Sequence, residues 1–178
     1  MLYLLRSAAA LAAAALACAA GHAQPRHAPE NQLKAALIYN FALFTAWPAG
    51  VLPEGEALTL CVLKNTEVTE ALSQLEQKAV AGHVLRLKLI ADNETWQSCK
   101  LAYLEEDEHA RLAQLRKKLE GLSVLTISDR PAAVNEGIMI GISMENNRFV
   151  FDINANAAHL ARLSISSKLL RLARKVVQ

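Results

Sequence analysis

The sequence is poor in aromatic residues and glycine, and it lacks the glycine patterns that bind phosphate. Aromatic residues make up 5% of the chain, and only seven of its 178 residues are glycine. Neither G-x-G-x-x-G nor the P-loop pattern occurs, which excludes nucleotide sites of those two types. The five histidines form no closely spaced pair of the kind usual in zinc sites. We therefore predict a protein that uses no metal and no cofactor.

The chain also carries little net charge. Its 19 basic and 17 acidic side chains leave a formal charge of +2, and loss of Arg6 with the leader described below leaves +1. This balance provides no global field for nucleic acid, so we predict no nucleic-acid partner. With 20% charged and 53% hydrophobic residues, the composition is that of a globular domain and not of a disordered chain.

The one long apolar run stands at the start of the chain. An alanine- and leucine-rich stretch of about 13 residues runs from Ala8 to Ala20, and Gly21-His22-Ala23 then places small residues where a signal peptidase reads. A helix needs about 20 apolar residues to span a bilayer, so residues 1–23 are predicted to be a cleaved signal peptide and the mature protein is predicted to be periplasmic. Two alternatives stay open, namely an uncleaved anchor helix and a lipoprotein acylated at Cys18.

Beyond a flexible tail over residues 24–30, helical and strand patterns alternate through residues 31–178. Helices are predicted to be capped by Asn31, Thr66, Asp107, Asn154 and Ser166. Strands are predicted over Leu58–Leu63, His83–Ile90, Cys99–Leu104, Leu122–Ile127, Gly137–Ile142 and Arg148–Ile153. This order favours a single α/β domain with a mostly parallel sheet, an antiparallel C-terminal hairpin and flanking helices.

Two predicted helices carry apolar stripes that should face the core. The first helix has Leu33, Leu37, Phe41 and Phe44 at helical spacing, and Trp47-Pro48 should end it. The last helix is predicted to turn Leu169, Leu172, Ala173 and Val176 inward. Both stripes predict helices packed on the sheet.

Two cysteines remain once the leader is removed. Cys61 and Cys99 lie 38 residues apart, and export into an oxidising compartment favours a disulfide between them. Closing a loop of that length stabilises a fold by about 3–4 kcal/mol. The alternative is a pair of buried free thiols.

Catalytic groups are sparse. No G-x-S-x-G elbow is present, and the acidic run Glu105–Glu108 is interpreted as a solvated helix start. Ser164 and Lys168 are four apart and would be neighbours on a helix, but a Ser–Lys dyad needs a desolvated amine. Ser166 fits a helix cap better. A hydrolase using Ser164 or Ser166 with Lys168 therefore stays only as an alternative to a non-enzymatic protein.

The C-terminal segment is basic. Residues 155–178 contain no acidic side chain, and five cations occur there: Arg162, Lys168, Arg171, Arg174 and Lys175. They form either a solvated outer face or a contact surface for an acidic partner or a lipid headgroup region.

Several segments resemble, in order, the YfiR-like family of periplasmic proteins. They are Leu33–Ala42 with Phe44 and Trp47-Pro48, Leu60–Leu63, Cys99–Leu104, Val124–Asp129, Gly137–Ile140, Phe149–Asn154 and Ser166–Ala173. The resemblance covers about residues 31–176, which is nearly the whole predicted mature domain.

The resemblance implies a compact α/β domain that can form homodimers and represses an inner-membrane diguanylate cyclase by binding its periplasmic sensor domain. Repression lowers cyclic-di-GMP and biofilm formation, and an outer-membrane lipoprotein can sequester the repressor. The family's dependence on oxidised cysteines carries over to Cys61 and Cys99. Some members have a second disulfide in the C-terminal third, where this sequence has no cysteine.

We expect the partner surface near the C-terminal signature residues. They are Asp152, Asn154, Arg162, Ser166, Ser167, Lys168 and Arg171. A second reading is a periplasmic small-ligand binding module that acts through another receptor, which would need an apolar pocket with convergent polar groups.

Overall fold

The computed structural model describes residues 30–91, 93–130 and 132–178, so the predicted signal peptide and the tail up to residue 29 lie outside the described residues. The helices described are α1 (Glu30–Leu43), α2 (Glu67–Ser73), α3 (His109–Leu119), α4 (Ala155–Leu160) and α5 (Ser167–Leu172). The strands described are β1 (Thr45–Ala46), β2 (Leu58–Val62), β3 (Ala79–Val80), β4 (His83–Leu89), β5 (Leu101–Leu104), β6 (Leu125–Ser128), β7 (Ile140–Glu145), β8 (Arg148–Asn154), β9 (Ser164–Ile165) and β10 (Lys175–Val177). Short 3₁₀ helices span Glu106–Glu108 and Ala133–Glu136.

Eight of these strands form one sheet in the order β10-β8-β7-β6-β5-β2-β4-β3. The pairs are parallel except for the β7–β8 hairpin and the short β3–β4 pair at the edge. The central order β4-β2-β5-β6-β7 is that of a doubly wound fold of the flavodoxin-like type. The predicted mostly parallel sheet with an antiparallel C-terminal hairpin, in one α/β domain, is confirmed.

The sheet is covered on both faces. Alternate residues of its strands point to opposite sides, and the buried side chains accordingly form two clusters. The first cluster contains Ile38 and Phe41 of α1 and Leu72 of α2. The second contains Leu112 and Leu115 of α3. The first face thus carries α1 and α2, and the second face carries α3.

A disulfide joins the second face to the connection between β4 and β5. Cys61 in β2 is bonded to Cys99, just before β5, and both side chains are buried. Trp96 in the same connection is buried against this cluster. The predicted disulfide is confirmed, and the connection is held on the sheet without a helix of its own.

Three of the five predicted helix caps are confirmed. Thr66 caps α2 in a capping box, and Asn154 and Ser166 accept the expected backbone hydrogen bonds at the starts of α4 and α5. The hairpin turns at Asn146 and Asn147, both at positive φ, as a tight turn between twisted strands requires.

Three predictions about the helices were wrong. Asn31 lies inside α1, and Leu33 is 45% exposed because the helix turns Ala35, Ile38 and Ala42 inward instead. Asp107 does not cap α3, because its carboxylate pairs with Lys64.

The last helix is also shorter than predicted. It ends at Leu172, and the chain continues as β10, which pairs parallel with β8. Val176 is therefore a strand residue, and Leu172 is 69% exposed.

Removing the disulfide should cost stability without changing the fold. The Cys61→Ala/Cys99→Ala variant should lose about 3–4 kcal/mol of unfolding free energy, because the unfolded chain is no longer restricted by the 38-residue cross-link. Urea unfolding followed by circular dichroism measures the loss. Two titratable thiols in denatured wild-type protein that had never met reductant would contradict the cross-link.

Candidate functional site

A buried ion pair fixes α1 to the sheet. Lys34 Nζ of α1 lies 2.7 Å from Asp129 Oδ2, in the turn after β6, and the hydroxyl of Tyr103 in β5 donates to the same oxygen at 2.9 Å. The side chains of Lys34 and Asp129 are only 11% and 15% exposed. Burial, with the neighbouring Asp129 carboxylate, raises the pKa of Tyr103, so its hydroxyl stays protonated and donates.

Further polar groups occupy the same end of the sheet. In a doubly wound fold this end, where parallel strands present their carboxyl termini, is the usual place for a ligand. Here Thr66 donates its hydroxyl to Glu105, and Lys64 pairs with Asp107. Among the described residues, no group of three His, Cys, Asp or Glu side chains is arranged to hold a metal ion. The polar groups at this end mainly bond to one another.

One member of the acidic run departs from the prediction of a solvated helix start. Glu108 is buried, and burial is the main reason that the pKa of its carboxyl is raised. One of its oxygens accepts a hydrogen bond from the backbone of Glu105 at 2.9 Å. Glu108 therefore belongs to the interior of the turn that leads into α3.

Asp152 lies in a second ion-pair cluster, which holds the C-terminal strand. Its buried carboxylate accepts a hydrogen bond of 2.9 Å from Arg174 Nε, and the same guanidinium pairs with Glu145. These two carboxylates raise the pKa of Arg174 further above its ordinary value. Since Arg174 stands beside β10 and Asp152 is in β8, the pair ties the end of the chain to the sheet.

Two more of the predicted surface residues have internal hydrogen bonds. Asn154 accepts from the backbone of Ala157 at 2.8 Å and donates to the carbonyl of Val134 at 2.9 Å. Ser166 accepts from the backbone of Leu169 at 3.3 Å. With Asp152, these side chains position β8, α4 and α5, and a role of theirs in partner contact stays a prediction.

The remaining predicted residues are exposed. Arg162, Ser167, Lys168 and Arg171 all reach solvent around α4 and α5. Two leucines that the sequence analysis did not assign to a surface stand among them: Leu160 is 75% exposed and Leu172 is 69% exposed. We call these six residues the C-terminal surface. Helix α5 buries Leu169 and leaves Leu172 outside.

The exposure of Lys168 removes support from the Ser–Lys hydrolase. Ser164 lies in β9 and is exposed, while Lys168 lies in the next element, α5, and its ammonium is solvated. A lysine base requires desolvation to lower its pKa. The two side chains therefore lack the environment of a catalytic dyad.

These features define a single α/β domain with exposed basic and apolar side chains around α4 and α5. None of the helices in the described parts of the chain has the length and hydropathy to cross a membrane. A family model described as YfiR/HmsC-like matches residues 31–174. The chain therefore belongs to the YfiR/HmsC-like family, and the resemblance found in the sequence is confirmed.

Replacing Asp129 should test the buried pair. Asp129→Asn leaves the ammonium of Lys34 without its main counter-ion, which should lower the unfolding free energy by about 3 kcal/mol. The double variant Lys34→Met/Asp129→Asn should recover much of that loss, because no charge is then buried and the amide oxygen at position 129 still accepts from the Tyr103 hydroxyl. Urea unfolding of the single and double variants makes the comparison, and equal losses in the two would contradict the pair's role.

Asp152 and Lys168 should behave differently on substitution. Asp152→Asn weakens the hydrogen bonds to Arg174 and should cost about 1–2 kcal/mol of unfolding free energy. Lys168→Ala should stay within about 0.5 kcal/mol of wild type, because the ammonium is exposed. Thermal unfolding of both variants distinguishes a structural carboxylate from a surface cation, and a stable Asp152→Asn protein would refute the assignment.

Proposed function

We propose that this chain is a periplasmic repressor that binds the periplasmic sensor domain of an inner-membrane diguanylate cyclase and lowers cyclic-di-GMP synthesis. The observation that carries the proposal is membership of the YfiR/HmsC-like family over nearly the whole described domain. The buried disulfide suits an exported protein, since such bonds persist in oxidising compartments. Repression is then a matter of binding and needs no reacting group in this chain.

The C-terminal surface is the contact that we assign to the cyclase. Arg162, Lys168 and Arg171 supply positive charge, and no acidic side chain occurs in residues 155–178. Leu160 and Leu172 add exposed apolar area beside them. Apolar side chains surrounded by charge are typical of protein–protein contacts, and the charge directs this surface to an acidic patch on the sensor domain.

Two further partners belong to the same proposal. An outer-membrane lipoprotein would relieve repression by sequestering this protein, and a homodimer would be the form that circulates in the periplasm. Both come from the family and are not assigned to particular residues here. Membership of the YfiR/HmsC-like family supports both partners.

Charge reversal on the C-terminal surface should abolish repression. Deleting the gene should raise cyclic-di-GMP, and the wild-type gene should restore the low level. Lys168→Glu/Arg171→Glu should fail to restore it, because two cations facing an acidic patch become repulsive. Liquid chromatography with mass spectrometry measures the nucleotide, and binding of the purified sensor domain should weaken by about tenfold or more.

A matched reversal elsewhere controls for charge alone. Arg148 is an exposed cation at the start of β8 and away from the C-terminal surface in sequence, so Arg148→Glu should repress like wild type. Unchanged cyclic-di-GMP on deletion, with the cyclase intact, would overturn the proposed function. Normal repression by Lys168→Glu/Arg171→Glu would overturn the surface assigned to it.

A further inference from the structure

A groove of about 710 Å³ crosses the second face of the sheet between α3 and α4. Within the described residues, the connection from β6 to β7 holds only the 3₁₀ helix Ala133–Glu136. A groove therefore lies beside α3, where a doubly wound sheet would have a second covering helix. Its volume falls in the range of about 300–1,000 Å³ that is usual for small-molecule sites.

The walls of the groove are aliphatic. Of the side chains that the structure describes, none that lines the groove is aromatic, and the apolar lining includes Leu112, Leu115, Leu119, Ile138, Met139 and Leu160. Flexible aliphatic side chains suit a flexible aliphatic ligand, whereas flat ring systems usually meet aromatic walls. The lining therefore favours an alkyl chain over an aromatic body.

Two cations line the groove, Arg116 and Lys117, and neither has a counter-ion among the described residues. Arg116 of α3 lines the groove and makes no ion pair or hydrogen bond within the described part of the chain. Its guanidinium lies against Gly137, where an added Cβ would stand 3.1 Å from Nε. Glycine at this position thus leaves the room that the guanidinium occupies. Glu120 is the one carboxylate in the lining, and it is not within ion-pair distance of Arg116.

Two neutral groups add hydrogen-bonding capacity to the groove. The hydroxyl of Thr126 accepts from the backbone of Met139 at 3.0 Å, so its own proton is available for donation. Asn156 is exposed at the side formed by α4. With Arg116, these groups offer donors to an anionic head, while the apolar walls hold a hydrocarbon tail.

From this arrangement we propose that the groove between α3 and α4 binds an aliphatic carboxylate, with the anionic head on Arg116 and the alkyl chain along α3. An unpaired guanidinium at an aliphatic groove is complementary to such an amphiphile in both charge and shape. The proposal does not rest on the cyclase as partner. It adds a ligand site on the face that carries α3, and Leu160 alone is shared with the C-terminal surface.

Decanoate is the probe for this site. Protein expressed from the full gene with its own export signal, and purified in its exported form, should bind one decanoate by isothermal titration calorimetry. Amide resonances of α3 and α4 should shift in nuclear magnetic resonance spectra. Arg116→Gln should weaken decanoate binding about tenfold through loss of a charged hydrogen bond, while Arg148→Gln, which removes an exposed cation elsewhere, should bind like wild type.

Two comparisons distinguish binding at this site from nonspecific hydrophobic binding of an alkyl chain. Decyltrimethylammonium has the same chain and the opposite charge, and it should bind at least tenfold more weakly than decanoate. Asn156→Trp places a large side chain in the groove and should abolish decanoate binding. Since Asn156 is exposed, this variant should unfold at the wild-type temperature.

Four outcomes would overturn the ligand site. They are no decanoate binding at millimolar concentration, equal binding of the cationic amphiphile, unchanged affinity in Arg116→Gln, and amide shifts away from α3 and α4. These measurements use purified protein without a cyclase, so failure here leaves the proposed repression standing. Failure of the cyclase experiments likewise does not affect the proposed ligand site, which the decanoate titrations test independently.

Discussion

A parallel sheet must be covered on both faces, and this protein covers its two faces unequally. The first face carries α1 and α2, whereas the second carries α3 as its one long helix among the described residues. The connection from β4 to β5 lies on the second face without a helix, and the Cys61–Cys99 disulfide with buried Trp96 holds it there. Because both faces of a parallel sheet are buried, this cross-link substitutes for packing that a helix would otherwise provide.

The unequal covering of the two faces also explains which polar side chains bond to one another and which remain accessible to a ligand. On the first face, α1 is fixed by Lys34 to Asp129 and Tyr103, at the end of the sheet where many relatives of this architecture bind ligands. On the second face, Arg116 stands beside the groove without a counter-ion in the described structure. The usual ligand position is thus filled by internal pairs, and the available concavity lies on the less covered face.

The sequence predicted those features that depend on interactions between residues close together in the chain. Thr66, Asn154 and Ser166 act on backbone groups a few residues away, so the pattern alone identified them as caps. The buried strands and the disulfide followed from apolar runs and from an exported pair of cysteines. Short strands of two or three residues, such as β1, β3, β9 and β10, carry too few residues to show a period and were missed.

Predictions from the sequence were wrong where a residue far away in the sequence determines the burial or the contacts of a side chain. Helix α1 is apolar on several sides, so its spacing could not show that Ile38 would be buried and Leu33 exposed. Asp107 was predicted as a cap, but Lys64, 43 residues earlier, takes its carboxylate. Asp152 was predicted near the partner surface, and the sequence did not show that Arg174 would bond its buried carboxylate; its part in partner contact stays a prediction.

The difference between internally paired and exposed charged side chains also limits which residues can form a binding surface. A carboxylate that is paired with Arg174 cannot meet a partner without first breaking that pair, and removing one member of a buried pair is costly. Among the described residues, Lys168 and Arg171 make no ion pair, and both are exposed. Residues that combine exposure with charge are therefore better placed to recognise an acidic partner than the buried signature residues beside them. The signature Phe149–Asn154 lies in β8, which pairs with β7 and β10.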